Sequence, residues 1–178
     1  MQEARVFIVT GKKDCGKTQF MENLYSKLKD QGYCISGIFA PKITTLEGKP
    51  GYRWVHQPSE RTERLADLKP REGWLKQGKF FFSPEAFDVG FSMLQVMDSC
   101  MVLLDEVGKL ELSGSGWARA IDYLLTRPVV LVLSMRETVV ERILDHWNIT
   151  SLDEFYLPEA KVEKVIQEII LLGEPAKR

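Results

Sequence analysis

Two short stretches carry residues whose types and spacing can do chemistry. The first, Gly11-Lys12-Lys13-Asp14-Cys15-Gly16-Lys17-Thr18, matches the phosphate-binding pattern G-x-x-x-x-G-K-[ST]. A loop whose backbone N–H groups converge can wrap a polyphosphate only where side chains stay clear, and Gly11 and Gly16 meet that need. In such a loop Lys17 reaches the β- and γ-phosphates, the Thr18 hydroxyl holds Mg²⁺, and the N-terminus of the next helix adds partial positive charge. Lys12, Lys13, Asp14, Cys15 and Gln19 complete the expected nucleotide-binding segment, and the expected ligand is a nucleoside triphosphate. The second stretch is the apolar run Cys100-Met101-Val102-Leu103-Leu104, which ends in Asp105-Glu106. A buried strand ending in two carboxylates near a phosphate loop suits a metal-associated acidic pair. Asp105 would accept a hydrogen bond from Mg²⁺-bound water or touch the ion, and Glu106 would orient or deprotonate the attacking water.

The elements that must position these residues are legible as alternating patterns. Val6-Phe7-Ile8-Val9 reads as a buried strand feeding the loop, followed by a helix over 17–31 with Phe20, Met21, Leu24, Tyr25 and Leu28 on one face and Gly32 as its stop. A strand over 33–40 closes at Pro41. Residues 42–82, with turn signals at 47–51 and a polar stretch at 57–77, read as a hairpin-like insertion of extended segments and loops at the sheet's rim. Trp54 and Trp74 in it are candidates to flank a base. Ser83-Pro84-Glu85 starts a helix carrying Phe87, Phe91, Leu94 and Met97. Beyond the acidic strand come a helix with Trp117, Ile121, Leu124 and Leu125 that stops before Pro128, and a strand over 129–133. A capping box Thr138-x-x-Glu141 then opens a helix with Val140, Ile143, Leu144 and Trp147 inward. The last helix follows Pro158 and ends at Gly173, leaving 174–178 to fray. Apolar strands alternating with amphipathic helices predict an α/β fold with a mostly parallel sheet covered on both faces, whose ligands gather at the carboxyl ends of the strands.

The chain's 178 residues suit one domain spanning 1–178. With 28% charged residues and a net charge of -1, the composition lacks the basic excess of nonspecific nucleic-acid binding, and no nucleic-acid partner is expected. No apolar run approaches the ~20 residues of a membrane helix, and Met1-Gln2-Glu3-Ala4-Arg5 lacks a signal-peptide pattern, so the expected location is cytoplasmic. Cys34 and Cys100 read as reduced core residues, and Cys15 as a small residue that fits the loop. His56 and His146 lack the company of a metal site.

Taken together, Leu104-Asp105-Glu106-Val107-Gly108-Lys109-Leu110-Glu111-Leu112-Ser113 is similar to the D-E-[IV]-G-K-[ML]-E-L-x-S signature of the THEP1-type nucleoside-triphosphatases, a family of P-loop NTPases. Gly48-Lys49-x-Gly51-Tyr52 and Gly78-Lys79-Phe80 resemble two further segments of that family. The resemblance implies a RecA-like fold and slow, Mg²⁺-dependent hydrolysis of ATP, GTP, CTP and UTP to diphosphates with little base selectivity. It also carries over the roles of Lys17, Thr18, Asp105 and Glu106. Lys109 lies in the signature and is equally placed to meet the γ-phosphate or to pair with Glu106 or Glu111. Two departures stand out: Pro50 replaces the family's arginine, and Gln19 replaces a second Thr or Ser. Arg53 and Arg136 are the candidate substitutes, although a solvated surface position is the simpler reading of both. Because an arginine finger contributes ~10³–10⁵ in rate, its absence predicts slow turnover. Other classes remain open: a nucleotide or small-molecule kinase uses the same loop, and the run 11–18 also resembles the GTP-binding adaptor of molybdopterin-guanine-dinucleotide synthesis.

Overall fold

The computed structural model describes residues 3–96 and 99–175. Burial along β1 (Arg5–Gly11) explains the layering: Val6 and Ile8 enter one apolar cluster, Phe7 and Val9 the other. A strand apolar on both faces needs cover on both. Accordingly α1 (Lys17–Asp30) and α5 (Val162–Gly173) pack on the Phe7 side, through Met21, Leu24, Val165 and Ile169. α2 (Pro84–Val96), α3 (Ala118–Leu125) and α4 (Val140–Trp147) pack on the Val6 side, through Phe91, Ile121 and Ile143. Ser83 accepts the Ala86 N–H at 3.1 Å as the cap of α2. Met97 lies outside the described residues.

The parallel part of the sheet runs β10 (Ser151–Leu157), β1, β9 (Val130–Arg136), β8 (Met101–Val107) and β2 (Ile35–Phe39). This is the expected α/β architecture, with the phosphate-loop strand and the acidic strand separated by β9. β10 has no counterpart in the sequence reading, because Asp153 and Glu154 interrupt its apolar pattern. Such charges suit a strand at the edge of a sheet.

Residues 42–82 continue the main sheet. β4 (Pro50–Gln57) pairs antiparallel with β2, and β5 (Thr62–Asp67), β7 (Phe80–Phe82) and β6 (Leu75–Gln77) follow outward, with β3 (Lys42–Thr44) also on β4. The polar stretch therefore contains a strand, β5, whose Leu65, Ala66 and Asp67 are buried. Trp54 is fully buried and its Nε1–H donates to the Ala86 carbonyl at 2.8 Å, so it is a core residue and cannot flank a base. Trp54→Phe should cost about 1 kcal/mol by removing that buried hydrogen bond, with nucleotide affinity unchanged, which denaturant melts and a nucleotide titration would show.

Two local expectations are corrected. The capping box does not form: β9 runs on through Arg136, so Thr138 falls inside a 3₁₀ turn, Glu137–Val139, rather than at a cap, and neither that turn nor α4 has a side-chain cap. The acidic strand does not stop at Asp105-Glu106 but continues to Val107.

Candidate active site

The phosphate loop joins β1 to α1, and Gly16 sits at the helix N-cap with φ +91°, in the left-handed region that glycine adopts without strain. No side chain caps the helix there, so the first N–H groups of α1 are left to a ligand. Lys17 is only 3% exposed, and its ammonium donates to the Lys12 carbonyl at 3.0 Å, folded back over its own loop. Cys15 is half-buried against the α1 and α5 core, 3.9 Å from the Lys17 ammonium. Asp14 forms an ion pair with Lys42 of β3, whose hydrogen bond holds the Asp14 carboxyl below its ordinary value.

The acidic pair owes its geometry to a bulge. β8 and β9 pair Leu104 with Leu133 but Val107 with Met135, so β8 carries one extra residue at Asp105-Glu106. Glu106 has φ +59°, a left-handed conformation that costs a non-glycine residue about 1–3 kcal/mol. Successive side chains of a regular strand point to opposite faces, and the bulge breaks that alternation at these two acids. Ser134 of β9 locks the arrangement. Its hydroxyl donates to Asp105 Oδ1 and accepts the Glu106 N–H at 3.0 Å, while the Ala40 N–H donates to Asp105 Oδ2 at 3.1 Å. Asp105 is fully buried and hydrogen-bonded through both oxygens, each keeping a second lone pair. Burial raises the Glu106 carboxyl above its ordinary value and Asp105 adds to the rise, against the lowering effect of Lys17, Arg136 and Lys42. Ser134→Ala would leave the Glu106 N–H without its acceptor and Asp105 Oδ1 without its donor. The expected cost is about 1–3 kcal/mol of stability, with hydrolysis reduced more than nucleotide binding, checked by melts and kinetics side by side.

A cavity of about 290 Å³ runs along the loop, lined by Lys17, Thr18, Gln19, Glu22, Lys42 and Glu106 among others. The structure thus brings Lys17, Thr18, Gln19 and Glu106 to one cleft, with Asp105 buried behind it. The donor set is all oxygen: the Thr18 hydroxyl, the Asp105 carboxylate and the Glu22 carboxyl, which burial and Asp105 raise above its ordinary value. These residues fit Mg²⁺, which takes one or two carboxylates and completes its shell with water and phosphate oxygens. Among the described residues no group of three or more His, Cys, Asp or Glu side chains is placed to hold a metal ion.

Arg136, at the end of β9, is exposed but close enough to act on Glu106, whereas Arg53 faces Arg64 on β5 and lines neither this cleft nor its neighbour. Trp74 also lines neither and packs under Arg71, 4.9 Å from the ring. Lys109 is exposed and makes no ion pair among the described residues. The partner once open to it, Glu111, is buried and accepts the N–H groups of Gly108 at 2.7 Å and Trp117 at 2.9 Å. Glu111 therefore anchors the loop that follows the acidic pair. Gly116 has φ +61°, and a Cβ there would collide with that carboxylate. Sequence reasoning missed Ser134, Glu22, Lys42 and the anchoring role of Glu111. A serine ending an otherwise apolar strand was the available signal for Ser134.

The chain matches the NTPase family over residues 6–170. It belongs to that family. A nucleoside-triphosphatase THEP1 of Sulfurisphaera tokodaii is 29% identical over 134 residues, 75% of this chain and 78% of that protein. Another of the same name, from Methanothermobacter thermautotrophicus, is 24% identical over 171 residues, 94% of this chain and 95% of that one. Two solved structures share the fold: a human cancer-related nucleoside triphosphatase, with TM-score 0.70 and 20% identity over 94% of this chain and 96% of that one, and THEP1 from Aquifex aeolicus, with TM-score 0.66 and 16% identity over 94% and 98%. Membership places the chain among the enzymes that hydrolyse nucleoside triphosphates.

Proposed function

We propose that this NTPase hydrolyses nucleoside triphosphates to diphosphate and phosphate by direct attack of water on the γ-phosphorus, needing no acceptor. The observation that carries the reading is the bulged Asp105-Glu106 pair, held by Ser134 beside the phosphate loop, with the Glu106 carboxyl raised by burial. A base whose affinity for protons is raised can accept one from water at the moment of attack.

In this reading the loop amides and the N-terminus of α1 bind the β- and γ-phosphates, and Lys17 leaves the Lys12 carbonyl to meet them. Glu106 orients the attacking water and takes its proton, while Asp105, kept fixed by Ser134 and the Ala40 N–H, is the carboxylate that would help hold the metal. Mg²⁺, which Thr18 and Asp105 would hold, would supply neutralisation of the phosphate charge. Asp14, Gly16 and Gln19 line the cleft in which the polyphosphate would lie, and Gly11, Lys12, Lys13 and Cys15 complete the loop that would wrap it. Arg136, whose charge already acts on Glu106, is the arginine that would act on the γ-phosphate. Its exposure leaves it solvated, which supports slow turnover.

Little base selectivity is supported by the location of the tryptophans. Trp54 is in the core and Trp74 outside the cleft, so neither clasps a base. Competition among ATP, GTP, CTP and UTP in one assay tests this: specificity constants within about tenfold of one another are expected, and a preference beyond a hundredfold would replace broad with base-specific hydrolysis.

A further inference from the structure

A second cavity, of about 440 Å³, shares Ala40, Tyr52 and Glu106 with the first, whereas Lys17 lines only the first. Its apolar wall is aromatic. Tyr52 meets Phe80 edge-on with centroids 5.1 Å apart, Phe82 stacks on Phe87 at 6.4 Å, and Phe87 meets Trp117 edge-on at 4.8 Å. Phe80 and Phe82 are half-buried, so their rings front the opening instead of sealing a core.

The charge on its walls is one-sided. Lys13, Lys79, Lys109 and Arg136 line it, and among the described residues none of them makes an ion pair; Lys79 lies 5.4 Å over the Phe80 ring. The carboxylates lining it are Glu106 and Glu111, and Glu111 is already committed to the Gly108 and Trp117 N–H groups. An aromatic wall beside unpaired cations fits an aromatic anion, whose ring takes the Phe80–Phe82 surface and whose charge takes the lysines.

Position gives the cavity a consequence. Phosphoryl transfer is in line, with the entering oxygen opposite the leaving β-phosphate. In the proposed mechanism the loop holds the β-phosphate and Glu106 the attacking water, so a cavity that Glu106 also lines opens where the nucleophile approaches. From this juxtaposition of aromatic wall, unpaired cations and the entering side of Glu106, we infer that the cavity is a second-ligand site for a planar aromatic anion, and that a molecule bound there displaces the attacking water. The inference rests on the hydrolase reading for its kinetic effect, but not for the binding itself.

The test uses 1-anilinonaphthalene-8-sulfonate as an aromatic anion of this class. Its fluorescence should rise saturably with one site per chain, and the rise should persist when Mg²⁺ and the β,γ-imido analogue of ATP saturate the phosphate loop. Bound probe should lower kcat for phosphate release by about tenfold with KM for the nucleotide unchanged. Lys79→Glu, an exposed charge reversal, should weaken probe binding about fivefold and leave basal hydrolysis alone. Phe82→Ala should weaken it similarly, with a melt confirming the fold. Absence of saturable binding, displacement of the probe by the nucleotide analogue, or equal affinity in both variants would overturn the site. Saturation of the probe without any change in kcat would overturn the displacement of water. A wild-type protein that releases no phosphate would instead count against the hydrolase reading, and the fluorescence titration and its variants would still decide the site.

Discussion

Replacing Glu106 with glutamine is expected to leave nucleotide affinity unchanged and lower phosphate release by about 10²–10⁴-fold, the contribution of a positioned general base. Glutamine keeps the shape and the backbone N–H bond to Ser134 but cannot take a proton from water. The pH profile carries the same signature. Burial and Asp105 raise the Glu106 carboxyl of the free enzyme, so the acid limb of kcat/KM should lie above the ordinary carboxylate range, falling as pH drops through that point. The glutamine variant should lose this limb. Stability moves the opposite way: a carboxyl raised on folding stabilises the protein below its unfolded pKa, and that contribution is lost as pH rises through the folded value. Acid that silences catalysis through Glu106 therefore does not unfold the protein through it. Kinetics and melts over the same pH range separate the two.

Lys17→Ala should weaken nucleotide binding roughly 10²–10³-fold, the cost of removing one partner of a desolvated charge contact. Free of ligand, the ammonium bonds the Lys12 carbonyl, an interaction inside the loop, so the melting temperature should shift little. A nucleotide titration of the variant checks the first expectation and a thermal melt the second. In the proposed mechanism the two substitutions divide the reaction: Lys17 would act on both ground and transition states, Glu106 only once water attacks.

The phosphate loop and the acidic pair were legible because their chemistry is local in sequence. Gly11, Gly16, Lys17 and Thr18 fall within eight residues, and the two acids follow directly on an apolar run. The alternation of buried strands and amphipathic helices was legible for the same reason, each element announcing its own period. What was not legible depends on pairings across the sheet. The bulge that aims Glu106 exists only relative to β9, and Ser134 matters only because β9 lies between the loop strand and the acidic strand. β10 hid behind Asp153 and Glu154, since an edge strand need not be apolar throughout. Trp54 was misjudged because an aromatic in a polar, turn-rich stretch looks available to a ligand, whereas its strand is paired to β2 and its ring is buried against α2.

Phosphate release by the isolated protein, with Mg²⁺ and no acceptor or protein partner, tests the central claim most directly. Release from ATP, GTP, CTP and UTP that stops when the metal is chelated is the predicted result. Tight nucleotide binding with no release above blank would contradict it, and would mean that the Glu106 side of the cleft serves a nucleophile other than water.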